Sequence, residues 1–228
     1  MPVARQTRKP ASVRKEQILS AAGELFSRKG FAGTTTRELA AAARLNEALL
    51  FRHFGNKEEI YWAVLEQRCR LGEGRRRMER RLEEGQPDFE LFSGIAHDIL
   101  ERHREMPELM RLFLYSALES HSLSDRMFRT YSAQFYETLA SHIEKRKKEG
   151  KFRADLDALL AARGFIGMVF YHHMVQNIFG GKQYQTFDPK QVAETLAEIW
   201  LRGMVNREEN KPSESATQTS KEVTPVEA

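Results

Sequence analysis

The residues best suited to bond-making chemistry are few and poorly spaced for it. His172 and His173 are adjacent, so on a helix their side chains diverge by about 100°. Neither has another His, Cys, Asp or Glu three or four residues away to complete a metal site. No Glu-x-x-His pair, the ligand pattern of carboxylate metal bundles, occurs anywhere. Gly180-Gly181-Lys182 has Gln176 where a phosphate loop needs its first glycine, and Gly72-Glu73-Gly74 has Arg77 where a dinucleotide fingerprint needs its third. There is no Gly-x-Ser-x-Gly elbow. Cys69 is the only cysteine, which excludes an intrachain disulfide and a multi-cysteine zinc cluster and points to a reducing compartment. These patterns argue against an enzyme and call for no metal and no cofactor.

The charge distribution carries more information. The chain has 228 residues, 41% hydrophobic and 30% charged, and a net charge of +4. Residues 1–56 hold 10 Lys and Arg against 4 Asp and Glu, so this quarter carries +6 and the remainder is slightly acidic. A concentrated basic segment can displace counterions from a phosphate backbone. No run approaches the ~18 consecutive apolar residues of a membrane helix, and the first residues lack the apolar core of a signal peptide. The expectation is a cytoplasmic protein with no membrane partner.

The elements that position these charges are all helical. Apolar residues recur with helical period and strand-type alternation is not sustained. Ser12 is placed to cap a first helix in which Ile18, Ala22, Leu25 and Phe26 share a face, and Gly30 supplies its stop. Thr35 with Glu38 is a capping-box pair for a short helix through Ala43; Arg44 and Leu45 form the turn, and Asn46 caps a second short helix. Asn56 followed by Glu59 repeats the pattern for a longer helix from Lys57. Gly72 and Gly74 predict a bend or break in that helix, and a hinge between the two ends of the chain. Further helical patterns cover 89–104, 108–119, 124–149, 155–179 and 189–206, the last opened by Asp188-Pro189. The domain expectation is a flexible basic arm at 1–11, a helix-turn-helix unit at 12–56, a larger helical domain at 57–207 and a disordered tail at 208–228, where the composition cannot offset its ordering entropy.

Residues 36–54 have the makings of a helix-turn-helix, two short capped helices braced by Leu39, Ala43, Leu45 and Leu50, with small Ala40 at the crossing. The second helix would then turn Glu47, Ala48, Leu49, Arg52 and His53 outward. Ile18-Leu19, Ala21-Ala22, Leu25-Phe26, Gly30-Phe31, Thr34-Thr35, Leu39-Ala40 and the run from Leu50 through Phe51-Arg52-His53-Phe54-Gly55-Asn56-Lys57 to Glu58 resemble the N-terminal signature of TetR-family transcriptional regulators. The resemblance spans roughly residues 12–62.

That resemblance implies a homodimer on a near-palindromic double-stranded DNA operator. Phosphate contacts map onto Thr36, Arg37, Asn46, Arg52, His53 and Lys57, whose hydroxyl, amide and cationic donors suit phosphate oxygens. Base-edge contacts map onto Glu47, Ala48 and Leu49. Phe51 stands where the family usually has Tyr, losing a phenol donor but keeping the apolar wedge, and Arg44 stands where it usually has Gly, which costs about 1 kcal/mol if the turn is left-handed.

The resemblance further implies a C-terminal small-molecule cavity and a four-helix dimer interface, with release from DNA when the effector binds. Pocket candidates are Phe92, His97, Phe113, Tyr131, Phe135, Phe165, Met168 and His172, with His103, Tyr115, Tyr171, Gln176 and Asn177 as further polar members. Interface candidates are Phe170, Val192, Leu196, Ile199, Trp200 and Gly203, with Gly164 and Gly167 admitting close approach. The effector is expected to be neutral or mainly apolar, because Arg111 and Arg163 are the few cations in reach. The competing readings are an activator or a regulator without a small effector, and a helical small-molecule binding protein whose head no longer holds DNA.

Overall fold

The structure is a computed structural model that describes residues 10–205 except 70, 107 and 120. The basic arm through Lys9 and the tail from 208 onward lie outside the described residues. Among the described residues the α-helical segments are α1 (Ala11–Lys29), α2 (Thr36–Ala42), α3 (Glu47–Phe54), α4 (Lys57–Cys69), α5 (Leu71–Glu83), α6 (Asp88–Glu105), α7 (Leu109–Glu119), α8 (His121–Met127), α9 (Ala133–Lys148), α10 (Ala158–Asn177) and α11 (Pro189–Met204). Among the described residues there is no β-strand, and one antiparallel bridge joins Phe152 to Val205. The all-helical fold class is therefore as the periodicity predicts.

Local signals account for most of the helix ends. Asn46, Asn56 and Asp188 each accept a hydrogen bond from the backbone N–H three residues on, at 2.8, 2.8 and 3.0 Å. Two expectations need correction. Ser12 is not the first cap: α1 starts at Ala11, because the carbonyl of Pro10 already accepts from Arg14 N at 3.1 Å. The 124–149 helix is broken by a π-helical turn, Phe128–Ser132, before α9. The expected bend or break at Gly72 and Gly74 falls beside residue 70, outside the described residues.

Two apolar cores result. The first gathers Ile18, Leu19, Phe26, Leu39, Leu50 and Phe54 with Ile60, Tyr61, Val64 and Leu65 of α4, and it also takes in Leu112, Leu123 and Met127 from α7 and α8. The second is centred on Phe92, whose ring lies 4.4 Å from Trp200 and 5.1 Å from Phe165. Here α11 lies against α6, with α10 and α9 alongside. By length and a mean hydropathy of 1.2, α10 is apolar enough to cross a membrane, although Arg163 and polar residues interrupt its apolar run. Ala162, Phe165, Ile166, Val169 and His173 turn its inner face into the second core.

Candidate functional site

The N-terminal helix pair is built around small buried residues. Ala40 and Ala43 are buried at the crossing of α2 and α3, and Leu39 and Leu50 close it from either side. The capping box at the start of α2 is complete: Thr35 Oγ1 accepts from Glu38 N at 3.2 Å, and Glu38 Oε2 accepts from Thr35 N at 2.9 Å. Lys29 donates to the same carboxylate at 2.5 Å, and these bonds hold the Glu38 carboxyl at about 2. At the end of α2, Leu45 N donates to Ala40 O at 2.8 Å and Arg44 N to Ala41 O at 3.0 Å, a Schellman closure. It requires a left-handed residue, and Arg44 at φ 55° supplies it, the only such non-glycine among the described residues.

This closure sets α3 on the surface. Glu47, Ala48 and Arg52 are exposed and Leu49, Phe51 and His53 are half-buried at its flanks. Asn46 caps the helix with its side chain, and Arg37 is exposed on α2. Thr36 and Glu47 are tied to each other, Thr36 Oγ1 donating to Glu47 Oε2 at 2.6 Å, a link across the turn that sequence spacing did not suggest. Lys57, the first residue of α4, lays its ammonium 4.2 Å from the Phe31 ring centroid. Burial shifts this ammonium below its ordinary value, while Glu119 works the other way. The ten candidates thus run from the start of α2 through α3 to the start of α4.

Behind the head, α7 holds both halves together. Tyr61 OH donates to Leu112 O at 2.7 Å, Arg111 Nε donates to Ser27 O at 2.9 Å, and the Glu119 carboxylate accepts from Ala32 N at 2.9 Å. Gly30 adopts φ 75°, a conformation that favours glycine, and a Cβ there would displace the Glu119 carboxylate, whose Oε1 would lie 2.2 Å away. Leu112 is fully buried in the head's core, and the next residue, Phe113, packs against that core and lines a cavity.

That cavity, of about 150 Å³, is walled by Ile99, Phe113, Met127, Tyr131, Phe135, Tyr136, Ile166 and Phe170, with Gly74, Arg102, His103 and Ser132 completing it. Of the pocket candidates, Phe113, Tyr131 and Phe135 meet here. Phe92 and Phe165 do not; both are wholly buried in the aromatic core with Trp200, Phe165 edge-on to Phe92. Met168 packs against that same core from its edge, and His97 is half-buried on α6 and off the cavity lining. His172 lines a second cavity of about 160 Å³, with Arg104, His173, Gln176, Lys182 and Phe187. Arg111 is spent on Ser27, Arg163 lies over the Phe128 and Tyr136 rings, and the cation on the first cavity is Arg102. Sequence reasoning passed over Arg102, Met127, Ser132 and Tyr136; their only signal was sharing helix faces with residues it did choose.

The interface candidates divide. Phe170 faces inward, edge-on to His103 at 5.4 Å. Trp200 is turned into the core, where its Nε1 donates to Ala161 O at 3.1 Å and removes any need for solvent or a partner. Val192 is buried beneath α11. Leu196 is half-buried, while Ile199 and Gly203 are exposed. On α10 the outward residues are Leu160, Gly164, Gly167 and Tyr171, and a Cβ on either glycine would meet nothing within 4 Å.

A family model described as bacterial regulatory proteins of the tetR family matches residues 18–64, and one described as an AefR-like transcriptional repressor C-terminal domain matches residues 98–203. The chain is 30% identical over 174 residues to a nucleoid occlusion factor, SlmA, of Marinobacter nauticus, covering 72% of this chain and 82% of that protein. An HTH-type transcriptional repressor of Mycobacterium tuberculosis is 47% identical over 49 residues, 22% of this chain, and the match spans only 26% of that protein. Among solved structures, a TetR-family transcriptional regulator from Mesorhizobium loti superimposes with a TM-score of 0.66 at 20% identity, covering 87% of this chain and all of that one.

Proposed function

Given that the chain belongs to the TetR family of bacterial regulatory proteins, we propose that it is a cytoplasmic, homodimeric transcriptional repressor, released from DNA when a small molecule fills the cavity behind α7. Residues 12–56 serve as the DNA-binding head and 57–207 as the effector and dimerisation domain. Each subunit of the dimer would lay α3 in a major groove of a near-palindromic operator, the two helices one DNA turn apart, about 34 Å, or a multiple of it. Arg37, Asn46, Arg52, His53 and Lys57 reach phosphates, Thr36 joins them when its hydroxyl leaves Glu47, and Glu47, Ala48 and Leu49 meet base edges. With an acid and two apolar side chains at the groove floor, much of the sequence preference comes from groove shape.

The observation that carries this reading is α7, one helix with Phe113 in the cavity and Arg111, Leu112 and Glu119 on the head. An effector shifts the protein off DNA only if it binds the released arrangement better than the bound one. A helix shared by cavity and head gives that difference a physical carrier. The exposed apolar residues Leu160, Tyr171 and Ile199, with half-buried Leu196 and the open glycines, supply the dimer surface. A gel shift against the DNA upstream of the protein's own gene, across a salt series, tests the reading. Sequence-specific binding that weakens with salt and is lost on adding the effector supports it; binding indifferent to sequence overturns it.

A further inference from the structure

We propose that Glu47 selects cytosine: in each half-site its carboxylate accepts from the N4 amino group of one base, and Thr36 is the positioning residue that holds it for that contact. The inference rests on the reading of α3 as the major-groove helix and adds which base that helix requires. In a helix-turn-helix the N-terminal residues of the second helix are the ones that meet base edges. Glu47 is the first residue of α3, and it is exposed. Its backbone is fixed from both sides. The closure through Arg44 and Leu45 brings the chain round from α2, and the Asn46 cap starts α3 at this residue.

Thr36, the first residue of α2, fixes the side chain as well. Its hydroxyl donates to Glu47 Oε2 at 2.6 Å across eleven positions of sequence. A hydroxyl has one proton to give, so this bond and a bond from Thr36 to phosphate exclude each other. The bond also picks one arrangement of a side chain that otherwise samples many rotamers, so that ordering cost is met before DNA arrives. Each carboxylate oxygen can accept, and Thr36 occupies only one of the two. Among the described residues, Oε1 enters no other hydrogen bond or ion pair.

The chemistry of the base edges then chooses the partner. In the major groove cytosine shows a donor alone, guanine shows two acceptors, thymine an acceptor and a methyl group, and adenine a donor with the N7 acceptor beside it. A carboxylate has no proton to offer an acceptor, so guanine and thymine oppose it, and adenine sets N7 against the oxygen that its amino group attracts. Cytosine meets it without opposition. Phosphates also repel Glu47, so the residue costs affinity on every sequence that lacks the matching base, which makes it a discriminator. Ala48 and Leu49 beside it carry no polar side-chain group. At the start of α3, base choice by hydrogen bonding therefore falls to Glu47.

The test is selection by the full-length protein from a randomised DNA duplex, then fluorescence anisotropy on the selected duplex with each of the four base pairs at the position in question. A C·G pair is expected at one symmetric position of both half-sites, and exchanging it for another pair should weaken binding about tenfold. Glu47→Gln should move the preference to adenine, whose N6 and N7 match a side-chain amide. Thr36→Val should narrow the cytosine preference to about threefold, and Thr36→Ser should restore it. A selected half-site without a fixed C·G pair overturns the proposal without any variant and leaves the DNA-binding reading standing. A cytosine preference that survives Glu47→Gln overturns it too. Equal weakening by Thr36→Val on all four duplexes makes the hydroxyl a phosphate donor and overturns its positioning role. Failure to enrich any sequence refutes the reading of α3 itself.

Discussion

Asn46 occupies two roles that a pair of substitutions separates. As the N-cap of α3 it accepts from Leu49 N at 2.8 Å, and in the proposed complex its exposed amide would donate to a DNA phosphate. An eight-residue helix is too short to hold itself together, so its cap and the burial of Leu50 and Phe54 keep it formed. Asn46→Ala removes the acceptor and should destabilise the protein by about 1 kcal/mol, a fall in Tm of about 2–4 °C for a domain of this size. Asn46→Asp keeps the cap, adds a favourable charge at the helix N-terminus, and should leave Tm unchanged or slightly raised. On DNA the order changes. The alanine variant loses one neutral donor, about fivefold in Kd, whereas the aspartate sets a negative charge against phosphate and should lose tenfold or more. Thermal melts and fluorescence anisotropy on one operator duplex at fixed salt measure both ladders. If the aspartate variant binds DNA as well as the wild type, Asn46 is a cap and nothing more. If the alanine variant melts with the wild type, the capping argument fails.

Three further perturbations follow from the geometry. Tyr61→Phe deletes the buried 2.7 Å bond to Leu112 O and should cost about 1–2 kcal/mol in urea denaturation; an unchanged midpoint would mean that α7 is not held to α4 through this contact. His173 titrates at about 4 in the folded protein against 6.5 for the free side chain, so between those values the unfolded chain binds a proton that the native state does not. Stability should therefore be full above pH 6.5, fall by up to about 3 kcal/mol as pH drops toward 4, and flatten below it, with His103 adding in the same direction. His173→Leu should shrink that slope in urea melts taken across the range, and an undiminished slope would assign it elsewhere. Ile199→Glu places a charge on the outward face of α11 and should convert dimer to monomer in sedimentation analysis while leaving helicity unchanged; a persistent dimer would move the interface off this face.

The site was legible in the sequence where its physics is short-range. Caps act over three or four residues, so Thr35 with Glu38, Asn46, Asn56 and Asp188 with Pro189 announce their helices from neighbouring letters alone. The left-handed demand on Arg44 likewise follows from where α2 must end. Because α3 is short and flanked by turns, its outward side chains could be named once its partners across the crossing were known.

The second half of the chain resisted for the opposite reason. On α10 apolar residues occupy most of the circumference, so a 3.6-residue period cannot say which stripe faces the core and which faces solvent, and on α11 the apolar face is too wide to say which part of it the core takes. Packing made that choice. Phe170 turned toward His103, Trp200 found the Ala161 carbonyl and Phe92, and Phe165 filled the space between α6 and α11 that a cavity would have needed. The π-helical turn belongs to the same class of fact. Local letters determined where each helix begins and stops, because backbone donors and acceptors are settled by near neighbours; the choice of inward face fell to tertiary packing, where a side chain competes for space with residues far away in the chain.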